Sequence, residues 1–308
     1  ERLDDRFRLL ACGSRTALPR QQTLRALVDW SFDLLSEKER ALVARLSVFG
    51  RGRSLEAVEE VCAGDGIAAE EILDVLSELV EKSFVWVEDD DWGVPRYFVS
   101  ETVWDYGREK LEGAGLRARY RERHLRYFEA WAREREARLK GAEQAEWFAR
   151  YGAETGNFRL ALEYAVEAGG EAARVGLALA ASLNRYWQVR GPFSEGIGFL
   201  TKLLAASPGA DDRLRGRAYA ALGRIAWAKD EYARAEEAYG EAVVLLGRAG
   251  EEVQRVLAEA ERGFVLRALG RVAEAEGCFE EAVRRGEELR DPRAVASGWA
   301  GLGSVALD

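Results

Sequence analysis

The chain has 308 residues, 48% of them apolar and 32% charged, with five prolines and a formal net charge of −9. That length exceeds the size at which one core usually stops growing, so two or three domains are expected. Little proline with abundant Ala, Leu, Glu and Arg favours a helix-rich soluble protein over sheet or disorder. No apolar run reaches the roughly 18–20 residues that cross a bilayer, and the charged start ERLDDRFRLL is no signal peptide, so a cytoplasmic location without membrane contact is predicted. Cys12, Cys62 and Cys278 are odd in number and widely spaced, and His124 is the one histidine, which argues against disulfide and zinc frameworks. Methionine is absent even at the start, and Leu307-Asp308 ends the chain inside a patterned segment, so a piece of a longer protein is expected.

In chain order, helical periodicity predicts helices over 24–35, 37–49, 55–63 and 69–83. Phe84-Val85-Trp86-Val87 and Arg96-Tyr97-Phe98-Val99 then read as two strands around the acidic turn from Glu88 to Pro95. Helices followed by one hairpin, closed by a helix over 101–111, is the order of a winged helix-turn-helix domain, placed at 24–112. A phosphate-binding winged helix should be basic. Residues 36–112 instead carry nineteen acidic against nine basic side chains, and Glu88, Asp89, Asp90 and Asp91 crowd the wing tip, so DNA is not the expected partner.

Residues 113–140 form the next segment. Arg117, Arg119, Arg121, Arg123 and Arg126 would spread around a helix instead of making one stripe, the pattern of a solvated linker helix. Tyr120, Leu125, Tyr127, Phe128 and Trp131 supply its apolar side.

From about 141 to 308 the signal is internal repetition. Gly223, Gly263 and Gly303 recur every 40 residues, as do Ala235 with Ala275, Tyr239 with Phe279, and Ala242 with Ala282. Tyr219-x-x-Leu222-Gly223 followed by Ala235-x-x-x-Tyr239 is the tetratricopeptide spacing, and Trp299-x-x-Leu302-Gly303 repeats its opening. Small residues let paired helices approach closely and the aromatic fills the space between them. Asp230 and Gly270 should stop the first helix of each hairpin. The period exceeds the usual 34, and Arg262 stands where Leu222 and Leu302 stand, which predicts looser packing there. Upstream, 177–189 with 193–204 reads as a degenerate unit with Asn184 at the glycine site, and 147–151 with 157–168 as one more hairpin. The predicted fold is mainly α: a winged helix followed by an α-solenoid of tetratricopeptide-like hairpins.

In that register the concave face would carry Arg185, Gln188, Arg217, Arg224, Trp227, Phe264 and Arg267. Arginines beside aromatics suit an acidic peptide or protein partner or a small anionic effector.

The phrases Arg2-Leu-Asp-Asp-Arg-Phe-Arg-Leu-Leu10, 17–35 (ALPRQQTLRALVDWSFDLL) and Leu46-Ser-Val-Phe49 resemble bacterial STAND regulators, signal-transduction NTPases with an NB-ARC-like core. The resemblance implies that residues 1–23 end a helical segment following that core, and that ATP or ADP binds the core upstream of this chain. It also implies a switch, in which the winged helix folds back on the nucleotide and the repeats sense an effector or partner. The family's histidine-centred triplet at the end of the wing corresponds to Val99-Ser100-Glu101. A serine donates a hydrogen bond but carries no imidazolium charge, so Ser100 and Glu101 are read either as nucleotide-sensing or as a helix cap. No G-x-x-x-x-G-K-[ST] loop occurs, so this chain alone is not expected to hydrolyse NTP, and no other enzyme class is supported. The alternative is a winged-helix transcription factor that reads DNA and carries an effector-binding repeat domain.

Overall fold

A computed structural model describes residues 19–50, 52–90 and 92–307, with side chains from Arg25 onward. The RLDDRFRLL phrase, Cys12, Arg51 and Asp91 lie outside the described residues. The chain divides by packing into two compact units, at Tyr120 and Arg121.

In the first unit α1 (Pro19–Asp33), α2 (Glu37–Leu46), α3 (Leu55–Cys62) and α4 (Ile72–Glu81) precede a two-stranded hairpin and α5 (Glu101–Gly113). Local chemistry sets the boundaries. Ser36 and Glu39 form a capping box at α2, and Ser54 caps α3. Proline-free apolar residues at helical spacing bury Leu42, Leu46, Val58, Val61, Leu76 and Leu79 in one core. Arg45 is buried with them and donates to the carbonyls of Cys62, Gly64 and Asp65 at 2.7–2.8 Å, which holds the α3–α4 turn.

The first strand of the hairpin starts two residues later than expected and the second one residue earlier. Its strands are β1 (Trp86–Asp89) and β2 (Pro95–Phe98), antiparallel with Trp86 opposite Phe98 and Asp89 opposite Pro95. Phe84 and Val85 are β-formers by composition, but both donate their N–H to the Leu79 carbonyl (2.9 and 3.3 Å) and close the end of α4. Ser83, at φ 61, turns the chain to make this possible. Arg53 adds one rung, exchanging backbone hydrogen bonds with Tyr97 at 3.1 and 2.8 Å.

In the second unit, α6 (Arg117–Arg135) continues past the boundary and ends in a single 3-10 turn, Glu136–Lys140. It buries Leu125, Phe128 and Ala132, while Arg121, Arg126 and Arg133 pair with Glu167, Glu122 and Glu129. Arg126 and Arg133 are solvent-exposed, as the linker-helix pattern predicts, whereas the Arg121 side chain is largely covered and lies over the Tyr164 ring at 4.6 Å. Next come α7 (Gln144–Ala153), α8 (Thr155–Ala168), α9 (Gly170–Ser182), α10 (Asn184–Arg190) and α11 (Phe193–Ala206). The expected pairing of 147–151 with 157–168 is corrected here. Only Glu154 separates α7 from α8, and α8 instead packs against α9 across the positive-φ pair Gly169-Gly170. In the degenerate unit α9 and α10 join through the single residue Leu183, whose N–H still bonds to the Leu179 carbonyl at 3.0 Å, but the small and aromatic residues have exchanged helices, with Gly196 of α11 lying against the Trp187 ring of α10.

The regular repeat follows: α12 (Asp212–Ala228), α13 (Tyr232–Arg248), α14 (Glu252–Ala268), α15 (Val272–Leu289) and α16 (Pro292–Val305). Helix starts recur every 20 residues, because α12, α13 and α14 have 17 residues and a three-residue turn each, and α15 has 18 residues and a two-residue turn. This is the physical basis of the 40-residue period. Asp230 (φ 61) and Gly270 (φ 77) provide the left-handed turns. A β-carbon at Gly223 would lie 2.9 Å from the Tyr239 ring, and one at Gly263 would lie 2.6 Å from Phe279. The looser packing expected at Arg262 gives way to an ion pair, with Nη2 donating to Glu236 on α13 at 2.7 Å.

Gly303 has open space where Gly263 has a ring. Gly263→Val should therefore lower the unfolding free energy by about 1–3 kcal/mol through overpacking. Gly303→Ala should be neutral or stabilising by up to about 1 kcal/mol, from helix propensity alone. Urea unfolding of the two variants checks the contrast; equal effects would contradict the close approach.

Candidate functional site

The face that would read DNA is α4 with the hairpin. Ile72, Val75, Leu76 and Leu79 turn inward, leaving Leu73, Asp74, Ser77, Glu78 and Glu81 exposed. Three carboxylates and no cation stand on that helix face. Lys82, at its end, is committed to Glu39, a carboxylate with 0% exposure. Burial pushes the Glu39 carboxyl up, but the hydrogen bonds from Lys82 and from the Ser36 backbone and hydroxyl outweigh it, leaving it below the ordinary range. At the hairpin tip, Asp90 Oδ1 accepts the N–H groups of Trp92 and Val94, both at 2.9 Å, while Glu88 accepts the Trp86 indole N–H. These acidic groups fix the turn and add to the negative face.

At the root of the hairpin lies a cleft of about 410 Å³ walled by Trp86, Phe98 and Trp104, with Ser100 and Glu101 at its lip. Trp86 and Phe98 stack at 5.6 Å, and the Trp104 indole donates to the Phe49 carbonyl at 2.7 Å. Ser100 has extended backbone (φ −64, ψ 154) and its hydroxyl accepts the Val103 N–H at 3.3 Å, so it caps α5. Glu101 is exposed in the first turn, where a carboxylate complements the helix dipole.

The expected concave residues divide into three groups. Arg217 and Arg224 line one cleft of about 340 Å³, together with Asn184 and with Glu136, Lys140, Gln254, Glu261 and Arg293. Each arginine there has a carboxylate partner: Arg217 reaches Glu136 at 3.3 Å and Arg224 reaches Glu261 at 3.0 Å. Arg185 and Gln188 bond to each other at 3.0 Å and do not line this cleft. Trp227 packs on Tyr232 (5.2 Å) and Phe264 on Phe279 (4.8 Å), holding hairpins together; Arg267 also lies outside the cleft lining. Lys140, Glu136 and Arg293 escaped sequence reading because they sit on the 3-10 turn and on α16, away from the matched positions of the repeat. Beneath the cleft, burial and then the Glu261 charge push the Tyr239 hydroxyl well above its ordinary pKa, so it stays protonated.

Residues 35–112 match the winged helix-turn-helix domain family. A Mycobacterium tuberculosis protein named as an HTH-type transcriptional regulator is 41% identical over 202 residues, which are 66% of this chain and 22% of that protein. A counterpart in Mycobacterium bovis aligns to the same extent. An uncharacterized Mycobacterium tuberculosis protein is 42% identical over 129 residues, 40% of this chain and 32% of its own length. The chain thus spans between about a fifth and a third of these curated relatives. Among solved structures, the Signal Transduction ATPase with Numerous Domains protein with a tetratricopeptide repeat sensor from Pyrococcus horikoshii is similar at a TM-score of 0.37 and 15% identity, covering 94% of this chain and 56% of that one. No helix among the described residues is long and apolar enough to cross a membrane.

Ser100→Ala should cost about 1 kcal/mol by uncapping α5, while Ser100→Asp should restore most of it. Thermal unfolding followed by circular dichroism measures both; an Ala variant as stable as the parent would show that the cap contributes nothing.

Proposed function

We propose that this chain is a non-catalytic regulatory and interaction module of a signalling switch. The winged helix serves as an intramolecular clamp on an NTPase core, and the helical hairpins serve as a sensor for a protein, peptide or small effector. ATP or ADP belongs to the core, not to this chain, whose sequence has no phosphate-binding loop. The observation that carries this reading is the exposed face of α4, where Asp74, Glu78 and Glu81 stand and the neighbouring Lys82 is taken by Glu39. Such a face repels phosphate, whereas duplex binding draws most of its affinity from cations that displace counterions. Ser100 and Glu101, at the lip of the hairpin-root cleft, are the proposed point at which the clamp feels a nucleotide. Capping leaves the Ser100 hydroxyl proton free to donate.

A second reading, a DNA-binding winged-helix transcription factor with an effector-binding repeat domain, draws on the domain match and on the names of the mycobacterial relatives. Electrophoretic and fluorescence-anisotropy binding to genomic duplexes across a salt series separates the two. The full chain should show no sequence-specific retention near physiological salt. Asp74→Lys, Glu78→Lys and Glu81→Lys together should create affinity that falls steeply with salt, with a slope near −0.9 per added phosphate contact. Specific, salt-sensitive binding by the unaltered chain would decide for the transcription factor.

A further inference from the structure

We propose that the cleft lined by Arg217 and Arg224 binds a small organic dianion, two acidic groups joined by an apolar spacer. This rests on reading the hairpins as a sensor and narrows that reading to a ligand class.

Size is the first argument. The 3-10 turn Glu136–Lys140 contributes Glu136 and Lys140 to the same cleft as α12 and α14. The resulting space of about 340 Å³ lies at the lower end of small-molecule sites. A peptide helix, about 10 Å across with its side chains, would need more room.

Charge is the second. In a chain of net charge −9, this cleft gathers Lys140, Arg217, Arg224 and Arg293 against Glu136 and Glu261. Arg293 is also held by Asp291 at 2.7 Å. Lys140 is exposed and has no ion pair among the described residues. The arginines are only partly used. Arg224 gives Nε to Glu261 and Arg217 gives Nη2 to Glu136, and no other hydrogen bond from either occurs among the described residues. Arg224 therefore keeps both terminal amino groups, the planar fork that suits a carboxylate.

Spacing is the third. Arg217, Ala220 and Arg224 follow one another at i, i+3 and i+7 on α12, as Gln254, Leu257 and Glu261 do on α14. Seven residues of helix put the two arginine backbones about 10 Å apart. Between them lie the apolar surfaces of Ala220 and Leu257. An acid group at each arginine, with methylenes across Ala220 and Leu257, satisfies this pattern.

The test is isothermal titration of the full chain with the α,ω-dicarboxylate series from succinate to sebacate, with pyrophosphate and a short glutamate-rich peptide as further arms. Affinity should peak at the spacer length that lets both acid groups reach Arg217 and Arg224, with suberate at least about tenfold tighter than succinate. Arg217→Gln with Arg224→Gln should abolish suberate binding. Because that pair of changes strands Glu136 and Glu261, Lys140→Gln provides the second variant: it breaks no ion pair and should weaken suberate about threefold with unchanged thermal unfolding. Tighter binding of pyrophosphate than of any dicarboxylate, no dependence on spacer length, or unchanged affinity in both variants would overturn the proposal. Binding of the peptide without any dicarboxylate would overturn it and leave the sensor reading standing. Binding of neither would remove both.

Discussion

The hairpin array depends on one steric constraint, the seating of an aromatic ring against a glycine on the partner helix. With Gly263 under Phe279 and Gly223 under Tyr239, the helices approach until ring and backbone touch, and Phe279 is wholly buried as a result. Once that distance is set, the other positions of the repeat follow. Ala235, Ala242, Ala275 and Ala282 must be small because they face the same narrowed seam, and each is fully buried. Contacts of this density exploit dispersion as well as removal from water, so a single added methyl is felt. The seam also fixes where the side chains of α12 and α14 point, and so assembles the cleft that Arg217 and Arg224 share with Gln254 and Glu261.

This explains how much was legible in the sequence. Gly, Ala and aromatic residues at fixed intervals record the seam directly, so the repeat and its turns at Asp230 and Gly270 could be read before any coordinates. The hairpin strands were misplaced because Phe84 and Val85 look like strand residues yet spend their N–H groups on Leu79. Intrinsic β-preference lost there to helix termination. The pairing of α8 with α9 was missed although its signal was present, since the Gly169-Gly170 pair marks the turn. Arg45 gave no signal at all. An arginine on a helix reads as a solvent residue, and only the loop it holds shows that its guanidinium belongs inside.

The site was legible in part for the same reason. Arg217 and Arg224 lie in register with the repeat and line one cleft. Trp227 and Phe264 lie in register too, but their rings pack on Tyr232 and Phe279 within their own hairpins, a distinction that periodicity cannot make. Lys140 and Arg293 come from outside the matched positions, and only folding brings them to the same space.

The two units use acidic residues in opposite ways. In the first, carboxylates accumulate on the face where a nucleic-acid reader would place cations, and the buried Glu39 holds Lys82 through the capping of α2. In the second, Glu136 and Glu261 each pair with one arginine of the cleft, Arg217 and Arg224. That pairing has a consequence for recognition. An unpaired guanidinium in a half-buried cleft would carry a desolvation cost with nothing to offset it, whereas Arg217 and Arg224 are each already compensated by one carboxylate. The two ion pairs offset that cost, and the donors of each arginine outside its pair are what the proposed acid would engage. If the cleft binds the proposed dianion, its affinity depends on engaging both arginines at once, and the distance between the two acid groups then counts for more than charge itself.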